Sequence, residues 1–331
     1  MAKWWSLLFG VTMFACLGLF LVAPFVGWWL PEGVSTHSDD VDGLFYLILY
    51  ITGIAFVLTT ALMVIFMWQF GSKTDADGNP EKPTSPMLDA AVAPLKKYFP
   101  TEARVEMAWT IVPAAILIFI AWIQVGTWGR IKYQSNAPRP DGYKIKNAEG
   151  KFDVTIPLQV DVSARQFEWR FRYPSPERWE SWKKELKKTG KAKQAKAFIS
   201  QPHADDVYVV NELHIWTNEK AKSDDEYPSV LTHLSTLDVQ HNFNLPSFRV
   251  KQDALPGKII PVWFRPTKAN YEYQEGVGWK YNKDRFWEIA CAELCGRSHY
   301  NMKAKIFVHP DEESFLRWLK SASVAQRSKT R

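Results

Sequence analysis

Cys291-Ala292-Glu293-Leu294-Cys295-Gly296-Arg297-Ser298-His299-Tyr300-Asn301-Met302 is the stretch on which the reading of this chain turns. Two thiols, an imidazole and a thioether fall within one short segment. Soft thiolate and thioether ligands combined with imidazole select copper over hard cations. A single blue copper takes one cysteine, one thioether and two imidazoles. The second cysteine is therefore surplus to a mononuclear site. Two cysteines four apart can instead bridge two coppers, with His299 and Met302 as outer ligands and one further histidine supplied from elsewhere.

The candidate for that histidine is His241, in Asp238-Val239-Gln240-His241-Asn242-Phe243-Asn244-Leu245-Pro246. Here the chain resembles subunit II of the cytochrome c oxidases, which carries the dinuclear CuA centre. The resemblance rests on residues 238–246, on Lys251-Gln252-Asp253-Ala254-Leu255-Pro256-Gly257, on residues 291–302 and on Glu106-Met107-Ala108-Trp109-Thr110-Ile111-Val112-Pro113. With two apolar spans it covers most of residues 40–320.

The resemblance implies a full ligand set. Cys291 and Cys295 would bridge both coppers, and His241 and His299 would each bind one. The Met302 sulfur and the Glu293 carbonyl would be weak axial ligands. The Glu293 carboxylate would reach a magnesium or manganese ion shared with subunit I, for which a hard oxygen ligand is suited; a plain loop-packing acid is the alternative. Asp238 would orient a neighbouring ligand, or serve only as a turn aspartate. The glutamate that Glu106 matches marks a proton-channel entrance in subunit I, while a carboxylate in the headgroup region is the simpler reading.

Other chemistries remain open at this stage. Two cysteines and two histidines also make a tetrahedral zinc set, which would leave Met302 unexplained. A thioredoxin-type copper chaperone uses the same cysteine spacing but has one span and no adjacent His and Met. A CuA-containing nitric oxide reductase subunit would share these motifs, and a copper-delivery protein, which would bind one copper reversibly, is a further alternative. A quinol oxidase subunit lacks the copper ligands, and here all six positions are present. His37, His203, His214, His233 and His309 have no ligand-like sequence neighbours and read as ordinary surface or core residues.

The chain has 331 residues, room for about two domains. Residues 4–31, 43–72 and 107–129 carry no charge. Each is long enough for the roughly 20 apolar residues that cross a bilayer core. The first follows Lys3 and reads as a signal peptide or an extra transmembrane helix over 1–31. The other two form a hairpin over 43–130. The segment before it holds four acids and no Lys or Arg, whereas its connector, 73–104, holds five Lys/Arg. Positive residues favour the cytoplasm, so the connector is inside. The exterior domain then lies on the periplasmic face of the cell inner membrane.

From 131 to 320 the expectation is a cupredoxin-like Greek-key β-sandwich, making the chain an α+β membrane protein. Strands are predicted at 152–160, 162–173, 207–216, 230–239, 258–264, 285–290 and 303–308, short runs rich in Val, Ile and aromatics between turn residues. A Lys-rich insertion of helical composition interrupts at about 177–200, with seven lysines and one glutamate over 183–196. A terminal helix is predicted over 311–320, with Phe315, Leu316 and Leu319 on one face, and 321–331 reads as a tail. Three cysteines make no disulfide framework. The net charge of +6 comes largely from the insertion, and no nucleic-acid motif accompanies it.

The family carries a Gln-Trp-aromatic-Trp run whose first tryptophan lies where cytochrome c delivers its electron. Here the run is Gln166-Phe167-Glu168-Trp169, which makes Phe167 and Trp169 the electron-entry candidates. Phe167 and the nearby lysines argue for an acidic or neutral cytochrome donor, or one held in a larger complex. No Cys-x2-Cys-His haem attachment site is fused to the chain. Subunits I and III of an oxidase are the other implied partners.

Overall fold

The computed structural model describes residues 2–70, 101–132, 137–146 and 152–329, and the connector expected at 73–104 lies almost wholly outside them. The chain divides into two units, residues 1–31 with 42–126 and residues 32–41 with 127–331.

The first unit is built from α1 (Ala2–Val22), α2 (His37–Phe70) and α3 (Glu102–Lys132). Within His37–Trp68 and Ala103–Lys132, 18-residue windows reach mean hydropathies of 2.3 and 2.1. At 1.5 Å per residue, both helices exceed the roughly 30 Å hydrocarbon core. Their large apolar side chains, among them Ile54, Trp109, Leu117, Ile118 and Trp122, are exposed. A water-soluble bundle would bury this face; a lipid-facing one leaves it out. Pro113 is accommodated inside a continuous α3. The N-terminal apolar segment folds as α1, where Gly10 lets Val64 of α2 approach, and Phe20 meets Trp29 edge-on at 4.5 Å.

The second unit is a sandwich of two five-stranded sheets. One sheet contains β3 (Leu158–Arg165), β4 (Glu168–Tyr173), β5 (Val207–Val210), β7 (Val230–Thr236) and β10 (Ile260–Phe264), in the order β10-β7-β3-β4-β5. The other contains β6 (Glu212–Trp216), β8 (His241–Leu245), β9 (Val250–Ala254), β13 (Glu288–Cys291) and β14 (Lys303–His309), in the order β6-β14-β13-β8-β9. The pairs β3·β7 and β14·β6 are parallel. Two small hairpins are added, β1 (Tyr143–Lys146) with β2 (Phe152–Thr155) and β11 (Tyr271–Gln274) with β12 (Gly278–Tyr281).

Alternation sets the core. In β14 Ala304, Ile306 and Val308 face inward while Lys303 and Lys305 are exposed, the period-two pattern of a strand with one face on the core. Leu158, Val160, Val162 and Ala164 do the same from β3.

Several predicted strands are divided. The one expected at 162–173 is a hairpin, because the chain reverses at Gln166 and Phe167 and β3 pairs back on β4. The one at 207–216 breaks at Asn211, whose φ of 57° lies in the left-handed region. Five strands, β1, β8, β9, β11 and β12, were not predicted. They are short and mixed, as in His-Asn-Phe-Asn-Leu, and sheet neighbours rather than composition make them strands. The terminal helix, α6 (Glu312–Lys329), runs nine residues beyond its predicted end and takes in most of the expected tail.

The Lys-rich insertion is helical, as its composition indicates: α4 (Pro176–Thr189) and α5 (Lys193–Lys196). Ser175 caps α4, accepting from the Arg178 N–H, and Gly190 closes it at φ 72°. Trp179, Trp182 and Leu186 are buried on its inner face.

Candidate metal centre

The twelve-residue ligand loop joins β13 to β14, and Cys291 is itself the last residue of β13. The Cys291 N–H donates to the Met302 carbonyl at 3.1 Å, so the loop is closed at its neck. His241 opens β8, which pairs with β13 through Cys291↔Phe243 and Ala290↔Asn244. That pairing brings a histidine fifty positions upstream against the cysteines.

The donor atoms fall into two groups. Cys291 Sγ lies 3.8 Å from His241 Nδ1 and 3.3 Å from the Glu293 carbonyl oxygen. Cys295 Sγ lies 3.5 Å from His299 Nδ1 and 3.8 Å from Met302 Sδ. Each sulfur thus has its own imidazole and its own weak ligand. The two sulfurs are 3.8 Å apart, far beyond a disulfide bond, and both cysteines are free. Two sulfurs at that spacing can both reach the same two metals at a thiolate bond length of about 2.3 Å. Six donors exceed the four of a structural zinc site. The donor set fits a pair of coppers.

Burial and polarity tune these groups. His241 and Met302 are fully buried, Cys295 nearly so, while Cys291, Glu293 and His299 are half-buried. Burial, reinforced by the neighbouring Cys291, pushes the Cys295 thiol up to about 12. Without a cation nearby the sulfur stays protonated; a bound metal supplies the charge that makes it a thiolate.

Asp238 holds the buried imidazole. Its Oδ1 lies 2.8 Å from His241 Nε2, and its oxygens also accept from the Gln166 and Val239 N–H groups at 2.7 Å each. Burial opposes ionisation of Asp238, but these bonds win and hold its carboxyl below the usual carboxylate range. With Nε2–H donated to a carboxylate, Nδ1 is left as the lone pair facing Cys291.

Gln166 was passed over in the sequence, although it opens the run quoted for electron entry. Its side-chain amide donates to the Cys295 carbonyl at 2.6 Å while its backbone N–H binds Asp238, so it ties the β3–β4 turn to both ligand segments. Gly296, at φ 134°, is required here: a Cβ would come within 2.8 Å of Gln166 Nε2 and 3.2 Å of the Phe167 ring. Phe167 therefore lies against the ligand loop, half-exposed.

Two expectations need correction. Trp169 is fully buried, with its ring centroid 6.3 Å from that of His241 and 5.4 Å from that of Phe243, so no docking partner can touch it. Of the two electron-entry candidates, only Phe167 reaches the surface. The insertion, moreover, is not beside the ligand loop. β4 starts at Glu168, by that loop, and runs away from it to Tyr173; α4 leaves from the far end. The lysines therefore cannot set the charge of the donor face.

The remaining residues lie apart. Glu106 is exposed near the start of α3. His37 contacts the Trp263 carbonyl, His203 is exposed, and His233 faces Gln159. His214 and His309 do have a neighbour: each other, Nδ1 to Nε2 at 3.2 Å, both buried. Trp318 stacks on His214 at 3.8 Å and Phe307 at 4.5 Å on a nearly parallel plane.

Residues 225–308 match the family model described as cytochrome c oxidase subunit II, periplasmic domain, and residues 89–125 match that of the subunit II transmembrane domain. The chain is 25% identical over 297 residues to the alternative cytochrome c oxidase subunit 2 of Bradyrhizobium diazoefficiens, covering 88% of this chain and 83% of that one. It is 26% identical over 290 residues to cytochrome c oxidase subunit 2 of Cereibacter sphaeroides, covering 87% and 77%. Among solved structures, the periplasmic domain of subunit II of cytochrome oxidase from Bradyrhizobium japonicum aligns with 51% of this chain and 94% of its own, at 21% identity and a TM-score of 0.33. The chain is thus similar to cytochrome c oxidase subunit II through both its transmembrane and its periplasmic part.

Proposed function

We propose that this chain is the electron-entry subunit of a haem-copper oxidase, with Cys291, Cys295, His241, His299, Met302 and the Glu293 carbonyl holding a dinuclear copper centre. The observation that carries the reading is the paired donor arrangement: two sulfurs 3.8 Å apart, each with its own imidazole. Such a centre supplies one-electron redox chemistry with the charge shared over two metals. The protein's own part is to hold the ligands still. The β8–β13 pairing, the closed loop neck and the Asp238–His241 bond fix the donors before metal arrives, so little has to move when charge changes.

Electrons would enter over Phe167 from an external cytochrome and leave to haem in subunit I, where oxygen reduction and proton translocation occur. The chain is thus a subunit of an oxidoreductase and not its oxygen-reducing part. Subunit III, a magnesium or manganese ion at Glu293, and placement in the inner membrane with the sandwich on the periplasmic face belong to the same reading. Matches to both the transmembrane and the periplasmic family models favour it over copper delivery.

The test is metal analysis and electron paramagnetic resonance of the copper-loaded full chain. Two coppers per chain, with hyperfine splitting from two equivalent nuclei, are expected. One tightly bound zinc, or splitting by a single copper nucleus, would overturn the reading.

A further inference from the structure

Phe167 reaches the surface beside the ligand loop, but it is the residue before it that joins the β3–β4 turn to the donor atoms. The Gln166 side-chain amide donates to the Cys295 carbonyl at 2.6 Å, shorter than the usual N–H···O separation of about 2.9 Å. Its backbone N–H donates to Asp238 Oδ2 at 2.7 Å, and Oδ1 of the same carboxylate lies 2.8 Å from His241 Nε2. Cys295 belongs to one donor group and His241 to the other. Two hydrogen-bonded routes therefore leave one residue and end on opposite halves of the site.

The turn is also held in place. The Ala164 carbonyl accepts from the Leu237 N–H at 3.0 Å and from Thr236 Oγ1 at 3.3 Å, which fixes the base of the turn to the strand end that presents Asp238. Above it, Gly296 leaves no room for a side chain, since a Cβ there would come within 2.8 Å of Gln166 Nε2 and 3.2 Å of the Phe167 ring. Gln166 is exposed while Cys295 is buried, so the amide reaches from the surface to a residue that carries a sulfur donor.

Resting on the copper reading above, we propose that Gln166 is the positioning residue for electron entry, its amide coupling the entry turn to Cys295. One electron passes from the ferrous haem of a c-type cytochrome to the copper pair, and at Gln166 no bond is made and no proton moves. Electron tunnelling weakens more steeply across an open gap than along a hydrogen-bonded chain. Without the amide, the turn would meet the ligand loop only through the packing of Phe167 on Gly296. The backbone route through Asp238 does not depend on the side chain, so replacing Gln166 leaves His241 oriented and the site intact.

The test compares the copper-loaded full chain with its Gln166→Met and Gln166→Glu variants. Methionine keeps the length of the side chain without a donor, and glutamate keeps its shape but sets an acceptor against the carbonyl. Resonance spectra and copper content are expected to stay those of the wild type. In stopped-flow mixing with one ferrous c-type cytochrome, the plateau rate should fall severalfold in both variants. The cytochrome concentration at half-saturation should not move, and neither should the midpoint potential of Gln166→Met. A wild-type plateau rate in Gln166→Met overturns the proposal, because packing alone would then suffice. A change confined to half-saturation also overturns it, by making Gln166 a docking contact. So does loss of the two-copper signal in both variants, which would make it a residue of site assembly. Absence of that signal from the wild type would instead be a failure of the copper reading itself.

Discussion

Asp238 and His241 are joined by a 2.8 Å contact from Oδ1 to Nε2, and it decides which nitrogen of the buried ring is free for metal. Partners of this kind behind a metal-bound imidazole are worth about 10–100-fold in metal affinity. Asp238→Ala should weaken copper binding by about that factor, while Asp238→Asn, whose amide oxygen can still accept, should lose less. Competition with a copper chelator measures both. Equal affinities for wild type and Asp238→Ala would reduce Asp238 to a turn residue.

The cysteines divide the site between them, so neither can replace the other. Cys291→Ser and Cys295→Ser should each abolish the shared-electron signal and leave at most one copper. Resonance spectra of the two copper-loaded variants decide it. A signal from two equivalent nuclei surviving in either one would mean that the bridge is not made by both sulfurs.

The face around the ligand loop is apolar, with Leu294 81%, Tyr300 79% and Leu237 67% exposed. Of the acids at this face, Glu168 is paired with Arg165 and Arg170 at 2.7 and 2.6 Å and Asp238 is held by His241, while Glu293 is an isolated acid on a loop that also carries Arg297. A strongly basic cytochrome finds no acidic patch here, so its reduction of the copper centre should be slow and nearly independent of salt. Phe167→Ala should slow reduction by any cytochrome donor without changing the copper spectrum. Replacing Lys187 and Lys188 by Gln should change nothing in this assay. Stopped-flow reduction across a salt series tests all three, and a steep loss of rate with salt for the basic donor would contradict the reading of this face.

The His214–His309 pair makes the sandwich sensitive to acid. Burial pushes His214 down to about 4 and His309 well below its ordinary value, with Glu212 only partly offsetting the effect at His214. A base with a depressed folded-state pKa favours folding fully above its unfolded value of 6.5, and that contribution is lost as pH falls toward the folded value. For His214 the loss between pH 6.5 and 4 is about 3 kcal/mol. His214→Phe should therefore flatten the fall of the thermal midpoint over this range in the metal-free protein. An identical acid limb in the variant would show that the imidazole is already charged when folded.

Glu106 is exposed near the start of α3. If it passes protons to the catalytic partner, Glu106→Gln should slow turnover of the assembled oxidase while copper reduction by the donor is unchanged. Unaltered steady-state turnover would leave it a carboxylate of the headgroup region.

What the sequence alone determined was the part written in local chemistry. Charge-free runs long enough to cross a bilayer had one physical use, and α2 and α3 are built on two of them. The Cys-x3-Cys-x3-His-x2-Met spacing put four donors on one loop, where no distant contact was needed to bring them together. Composition likewise marked α4, whose buried tryptophans and leucine lie on one face. Tertiary structure decided everything that depends on which strand lies beside which. The β8–β13 pairing, not any local pattern, delivers His241 to Cys291, and β8 and β9 are too short and polar to announce themselves. The hairpin reversal at Gln166 brings that amide to the Cys295 carbonyl and buries Trp169 behind Phe167. Strand direction then carries the lysines to the opposite end of the sandwich. Proximity in the chain had placed them within twenty residues of Phe167, but a strand and its neighbours move a segment by their full length, and sequence distance does not record in which direction.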